Sequence, residues 1–191
     1  WYEDEIPFTR AAELGTYKVI HEHSTIGIVV TCDGSFGEIP AENYRQPEER
    51  TVEELKKIGK PFVVLLNTTK PYSDPVRKQA KELYHKYNVP VIPVNCEQLK
   101  KEDITMILEQ VLLEFPLVEV EFHMPRWVEM LPTDHPVKQE LIEKVRSMMD
   151  QFRVLRDIGS VSTDCTGPGI HKIKLDQVAL NKGRASYSVE M

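Results

Sequence analysis

Residue types able to do chemistry gather at three points of this sequence. They are Asp33, the run Asn67-Thr68-Thr69-Lys70, and Asn95-Cys96. Each follows an apolar run: Ser24–Asp33, then Phe62–Leu66 opened by Pro61, then Val89–Val94. An unbroken apolar run closed by polar residues fits a strand buried on both faces. Such strands belong to parallel sheets covered by helices, where ligands bind outside the carboxyl ends of the strands. That places Asn67, Thr68, Thr69 and Lys70 at a ligand edge, with an amide, two hydroxyls and an ammonium to offer. The same residues have a plainer use: Asn67 and Thr68 can start a turn, Asp33 can be a turn residue, and Asp74 can cap the next helix. Asn95 and Cys96 would act through their backbone. Lys70 could lay its stem on a flat ligand or stay in water. None of these residues reads as catalytic.

Other candidates are weaker. His21, Glu22 and His23 form an HxH group, but no third or fourth ligand stands at a suitable spacing, so they read as solvated side chains at a helix end and no metal site is expected. The loop Asp33-Gly34-Ser35-Phe36-Gly37 has two glycines but is neither GxGxxG nor GxxxxGK[ST], so it makes a poor phosphate cradle. Cys32, Cys96 and Cys165 are widely spaced and odd in number, which suits a reducing compartment rather than a disulfide framework.

The elements that must position these residues follow from periodicity and caps. A helix is expected from Thr9, as its cap, to about Glu22. Glu38–Glu49 reads as a polar excursion. Thr51 and Glu54 form a capping box for a short helix reaching Ile58 and ended by Gly59. After the central strand, Asp74 caps a helix with Pro75 in its first turn and an inner stripe of Val76, Ala80, Leu83, Tyr84 and Tyr87, and Asn88 ends it. A further helix over Glu102–Glu114 turns Ile104, Ile107, Leu108, Val111 and Leu112 inward. Strand and helix thus alternate three times, which is the pattern of a doubly wound α/β half-domain.

The pattern changes near Pro116, which sets an expected division into residues 1–115 and a smaller α+β unit, 116–191. Val118, Val120, Phe122 and Met124 alternate with charged residues, as in a half-exposed strand. Pro125–Pro136 reads as a loop holding Trp127. Val137 to Ile158 marks one amphipathic helix of about six turns. Gly159–Gly169 is a small-residue loop. A strand around Ile173 and Leu175, a turn at Asn181-Lys182-Gly183 and an alternating partner strand ending at Met191 complete a hairpin. The Met and Phe stripe reads as core.

The composition is that of a globular protein with a real core: 41% hydrophobic and 28% charged over 191 residues. A net charge of −6 gives no support to a broad nucleic-acid surface. No apolar run approaches the length of a membrane span. Residue 1 is Trp, no signal peptide follows, and Met191 falls inside a strand pattern. A piece of a longer chain is therefore expected.

The three strand exits resemble the last strands of a GTPase-like P-loop domain. There one exit loop carries an Asn-Lys-x-Asp run that reads a base, and the next carries a short run whose backbone touches it. Here the runs are Asn67-Thr68-Thr69-Lys70 and Val94-Asn95-Cys96. The Asn is kept, but Lys70 stands where the guanine-reading Asp would be, and a carboxylate is what accepts the two guanine donors.

Beyond that, the chain resembles the stage IV sporulation protein A family, the spore-coat morphogenetic ATPases of endospore-forming Firmicutes. The likeness rests on Trp1-Tyr2-Glu3, Ala11-Ala12-Glu13-Leu14-Gly15-Thr16, His23-Ser24-Thr25-Ile26-Gly27, Gly59-Lys60-Pro61-Phe62, Pro71-Tyr72, Glu114-Phe115-Pro116 and Leu155-Arg156-Asp157-Ile158. It is dense from Trp1 to about Ile158 and thins from Gly159 to Met191. The resemblance implies the back half of an ATPase domain followed by an incomplete middle domain. It implies ATP and Mg2+ as cofactors of the whole protein, with a P-loop lysine, switch threonines and a Walker B aspartate upstream of Trp1, and hence neither held tightly by this piece alone. It also implies self-assembly into a basement layer at the forespore surface in the mother-cell cytoplasm, anchored by a small amphipathic membrane peptide and decorated by other coat proteins, with no nucleic-acid partner. A ligand-free interaction scaffold with a vestigial nucleotide site, and a GTPase with a degenerate base loop, are the competing readings.

Overall fold

The computed structural model describes residues 7–161 and 169–191. Trp1 to Ile6, most of the expected Gly159–Gly169 loop, and Cys165 lie outside them. The chain divides into two compact units, Trp1–Val111 and Leu112–Met191.

The first unit is built on three parallel strands in the order β1-β2-β3: β1 Gly27–Cys32, β2 Phe62–Asn67 and β3 Val91–Val94. Phe62 to Leu66 in β2 are all buried. Phe62 and Val64 pack with Val29, Val52, Leu55, Tyr87 and Val89, and Leu66 packs with Val76 and Ala80. Val63 and Leu65 point to the opposite face and are just as buried, so β2 has no wet side. β1 differs from expectation. Ile28 and Val30 are 45% and 59% exposed, so one of its faces is open. β3 begins at Val91, two residues later than the apolar run suggests, and holds Pro93. The Val64 N–H donates to Pro90 O and the Thr68 N–H to Val94 O, which turns the even-numbered residues of β3 toward β2. Pro93 therefore faces the sheet's outer side, where its missing N–H breaks no ladder bond.

Helix α1, Phe8–Lys18, starts after Pro7 rather than at a Thr9 cap and runs into a π-helical turn, Val19–His23. The Lys60 ammonium donates to the carbonyls of Ile20, His21 and Ser24 at 2.6, 2.7 and 2.6 Å, closing the carbonyl end of that turn. Helix α2, Glu42–Ile58, replaces the expected polar excursion and short helix. The capping box does not form: the Thr51 hydroxyl donates back to Pro47 O at 2.8 Å inside the helix, and Glu54 pairs with Arg50. Packing outweighs the box: Val52 and Leu55 are drawn into the core, so one helix runs through it. Gly59 ends α2 at φ 73°, as expected.

Helix α3, Asp74–Tyr87, has Ser73 at its cap position, so Asp74 sits in the first turn with Pro75. Asn88 ends it in the left-handed region, φ 53°. Tyr84 lies outside the inner stripe at 39% exposure, whereas the Tyr87 hydroxyl donates to Glu48 at 2.7 Å and ties α3 to α2. Burial, with the Glu48 hydrogen bond, pushes the Tyr87 phenol up to about 12. Helix α4, Lys101–Leu113, buries Ile107 and Val111 but leaves Ile104, Leu108 and Leu112 exposed, so its buried stripe is narrower than the pattern suggests.

The second unit carries a sheet in the order β4-β6-β5: β4 Glu119–His123, β5 Lys172–Ala179 and β6 Arg184–Glu190. β4 runs parallel to β6, and β5 antiparallel to it with a bulge between Leu175 and Gln177. The core gathers around Tyr187, fully buried, with rings of Phe122 and Phe152 at 5.4 and 6.0 Å. Met148 and Phe152 are core residues, as expected. The Trp127 loop contains a short helix, α5, Arg126–Glu129. The expected six-turn helix is shorter: α6 spans Pro136–Met149, and a 3-10 turn, Leu155–Gly159, follows separately. The Asp157 carboxylate takes the N–H groups of Arg153 and Val154, both at 2.9 Å, which starts that new turn. Pro116 bridges Val154, and Leu155 N–H donates to Phe115 O.

Beside that bridge, Glu114 is buried with Arg156 at 3.2 Å. Burial raises its carboxyl from 4.5 to about 7 against the pull of Arg156, and Asp157 adds to the rise. Folded Glu114 thus holds its proton more tightly than unfolded Glu114. Its contribution to stability is full below about pH 4.5 and is lost as pH rises through about 7. The unfolding free energy from denaturant titrations should fall between pH 5 and 8 by an amount on the order of 2 kcal/mol, and Glu114→Gln should flatten that slope.

Candidate functional site

Parallel pairing decides where the candidate residues meet. The register sets Cys32 beside Asn67 and Asn67 beside Val94, so all three chain exits leave the same edge of the sheet. Asn67 is the hub of that edge. Its main-chain carbonyl accepts from the Asp33 N–H at 3.3 Å, and its side-chain Oδ1 accepts from the Cys96 N–H at 2.9 Å. One residue therefore ties the exit of β2 to those of both neighbours.

Thr68 is almost fully buried. Its N–H donates to Val94 O, and its Oγ1 accepts from the Lys70 N–H at 3.2 Å, which bends the chain so that Thr69 and Lys70 face outward. The Thr69 N–H donates to Ser35 Oγ at 3.0 Å. Asn95 caps a 3-10 turn, Cys96–Gln98, by accepting from the Glu97 N–H at 3.0 Å. Asp33 accepts from the Ser35 N–H at 2.9 Å. Burial pushes the Asp33 carboxyl up, but hydrogen bonds with Ser35 and Thr68 outweigh it and hold it below the usual range. Burial, with Cys32 nearby, pushes the Cys96 thiol up. A thiol raised in this way is a poor nucleophile.

A cleft of about 320 Å3 opens between the last two exits. Thr69, Lys70, Tyr72, Asn95, Gln98 and Asp103 are among its walls. It is small, open at one side, and offers donors and acceptors suited to binding a ligand. A larger cleft of about 1080 Å3 lies between α1 and α2. No strand exit reaches it, and its walls are helix stems such as Leu14, Tyr17, Pro47 and Arg50.

All six residues picked from the sequence sit on the sheet edge, but in two roles. Asn67, Thr68 and Asn95 spend side-chain oxygens on organising the loops, the Cys96 N–H is spent on Asn67 Oδ1 and Cys96 does not line the cleft, while Thr69 and Lys70 face it. Ser35, in the Asp33-Gly34-Ser35 strand exit, also belongs to this edge through the Thr69 N–H, and the sequence carries no signal for that contact. Gln98 and Asp103 were missed because nothing local marks them; the Asp103 carboxylate accepts from the Lys100 N–H at 2.9 Å in the manner of a helix-start residue.

Asn67→Ala should free the Cys96 N–H while leaving β2 buried. Amide exchange across Cys96–Gln98 should then speed up at least about tenfold, the loss of a roughly 1.5 kcal/mol bond, whereas Asn67→Asp, which keeps an acceptor, should change it far less.

Comparison with known proteins adds a family. The family model for stage IV sporulation protein A, ATPase domain, matches residues 1–116, and that for its middle domain matches residues 117–191. Curated relatives named stage IV sporulation protein A include those of Bacillus anthracis at 44% identity, Bacillus subtilis (strain 168) at 41% and Clostridioides difficile (strain 630) at 43%. Each match runs over 161 residues, 84% of this chain and 33% of the relative, so the chain spans about a third of the length of the curated relatives it matches. No solved structure matches.

Proposed function

The chain belongs to the stage IV sporulation protein A family, and from that premise we propose that residues 1–116 supply the base-side wall of a GTPase-like P-loop ATP site. The observation behind this reading is the Asn67 hub, which holds three parallel strand exits together beside a cleft carrying Thr69, Lys70 and Asn95. A rigid edge of this kind suits a flat, hydrogen-bonding ligand.

The residues present fit a purine better than a triphosphate. Amide and hydroxyl groups and the Lys70 stem can meet a base and its rim. No GxxxxGK[ST] loop is in the chain, and phosphoryl transfer needs such a cradle with a magnesium ligand. Mg2+ would neutralise phosphate charge when bound. The described residues contribute no group of three or more His, Cys, Asp or Glu that could hold it, so phosphate and metal contacts fall to other parts of the protein. Lys70 stands where a carboxylate would be needed to accept the two guanine donors. This supports ATP over GTP. What these residues do is bind and orient: Asn67 fixes the loop by holding the Cys96 N–H, Thr68 turns the chain outward, and Lys70, Thr69 and Asn95 face the ligand.

The proposal extends to the whole protein. ATP turnover there drives self-assembly into a spore-coat basement layer on the forespore surface, in the mother-cell cytoplasm. A small amphipathic membrane-anchor protein and other coat proteins are its partners, and nucleic acid is not. Membership of a sporulation protein family supports the sporulation setting. No helix among the described residues is long and apolar enough to cross a membrane.

In the full-length protein, ATP should outcompete GTP, and Lys70→Asp should narrow that preference by about tenfold or more, the scale of one charge-assisted hydrogen bond. Equal competition by both nucleotides, unmoved by the substitution, would favour a vestigial site. Residues 1–191 alone should hydrolyse ATP no faster than a heat-killed control.

A further inference from the structure

Among the described residues the sheet of the second unit has two edges with no strand partner, and they are complementary. β4 and β5 each have one strand neighbour among the described residues. The Glu119 N–H donates to Gly183 O, and β4 pairs with β6 in parallel from Glu119 and Arg184 onward. Backbone groups alternate along a strand, so Glu119 and Glu121 turn theirs toward β6, while Val120 and Phe122 turn theirs outward. The odd-numbered residues of β6 serve β4, which leaves the even-numbered ones for β5. Opposite Glu190 and Ser188, Lys172 and Lys174 therefore turn inward, and Ile173 faces outward with free backbone groups.

Side chains repeat the match. On the solvent face, β4 carries Glu119, Glu121 and His123, and β5 carries Lys172 and Lys174. On the core face stand Val120 and Ile173. We propose that the β5 edge of one copy adds antiparallel to the β4 edge of a second copy, joining second units into one continuous sheet. One register matches three successive positions. Lys172 lies opposite Glu121 of the second copy, Ile173 opposite its Val120, and Lys174 opposite its Glu119. Before Glu119 the Val118 N–H donates to Gly183 O at 2.8 Å and the Leu117 N–H to Arg153 O at 3.1 Å, so the ladder stops there. The bulge after Leu175 ends the regular edge of β5 at the same level.

Charged edges usually keep strands apart. Here β5 against β5, or β4 against β4, sets like charges opposite, so the identical edges repel. Only the unlike edges attract. A contact between different edges does not close on itself, so it generates an open chain of copies. Glu119 already pairs with Arg184 and Glu121 lies 3.8 Å from His123, but both carboxylates stay half-exposed and can share a second cation. This inference deepens the self-assembly reading and rests on it.

Sedimentation of the full-length protein with ATP tests it. Wild type should pellet. Lys172→Glu and Glu121→Lys, each replacing an attraction by a repulsion, should each raise the concentration needed for pelleting about threefold to tenfold. The double variant in one chain restores unlike charges and should return to near wild type. Melting temperatures report whether each variant folds, and Lys174→Glu with Glu119→Lys offers the neighbouring rung should one melt early. Single variants that pellet like wild type, or a double variant no better than the singles, overturn the edge pairing and leave self-assembly standing. Wild type that never pellets overturns both.

Discussion

A strand with no wet face is the constraint on which the first unit depends. β2 places five consecutive apolar side chains out of water, at roughly 25 cal/mol for each Å2 of apolar surface covered. Its backbone groups then have nowhere to go but to neighbouring strands on both sides. Its helical crossovers make those neighbours parallel. Parallel pairing in turn brings the exits of all three strands to one edge. The Asn67 hub is thus a late consequence of burying Phe62 to Leu66.

Elements fixed by local chemistry were legible in the sequence. β2 reads directly from its run, Gly59 and Asn88 end helices by entering the left-handed region, and the parallel order follows from alternating strand and helix. Where tertiary packing decides, the sequence misled. Thr51 and Glu54 look like a helix start, yet the pull of Val52 and Leu55 into the core keeps one helix running through them. The stripe from Val137 to Ile158 looks unbroken, yet Asp157 captures two N–H groups and begins a new turn. β1 looks buried, yet Ile28 and Val30 show one face. The candidate site was legible as a place rather than as a set of roles. A strand-exit pattern locates Asn67 and Lys70, but only coordinates distinguish the residue that ties loops from the one that faces the cleft.

The second unit uses a different principle. Its sheet is covered on one side by a core gathered around Tyr187, and its other side carries charge and hydroxyls. Stacked rings of Phe122, Tyr187 and Phe152 give the core a shape that aliphatic side chains would not. Glu114 and Arg156, from segments far apart in sequence, meet beside the Pro116–Val154 bridge. The desolvation of that pair argues for specificity of arrangement more than for net stability.

Pro93 has an effect that reaches past its own strand. By leaving a gap in the outward row of donors on β3, it makes that margin of the first sheet a finished hem. A newcomer strand laid there would lack one rung in the middle of a four-residue span, Val91–Val94. The opposite margin, along Gly27–Cys32, holds no proline. The first sheet is therefore one-sided in its capacity to grow, whatever lies beside it.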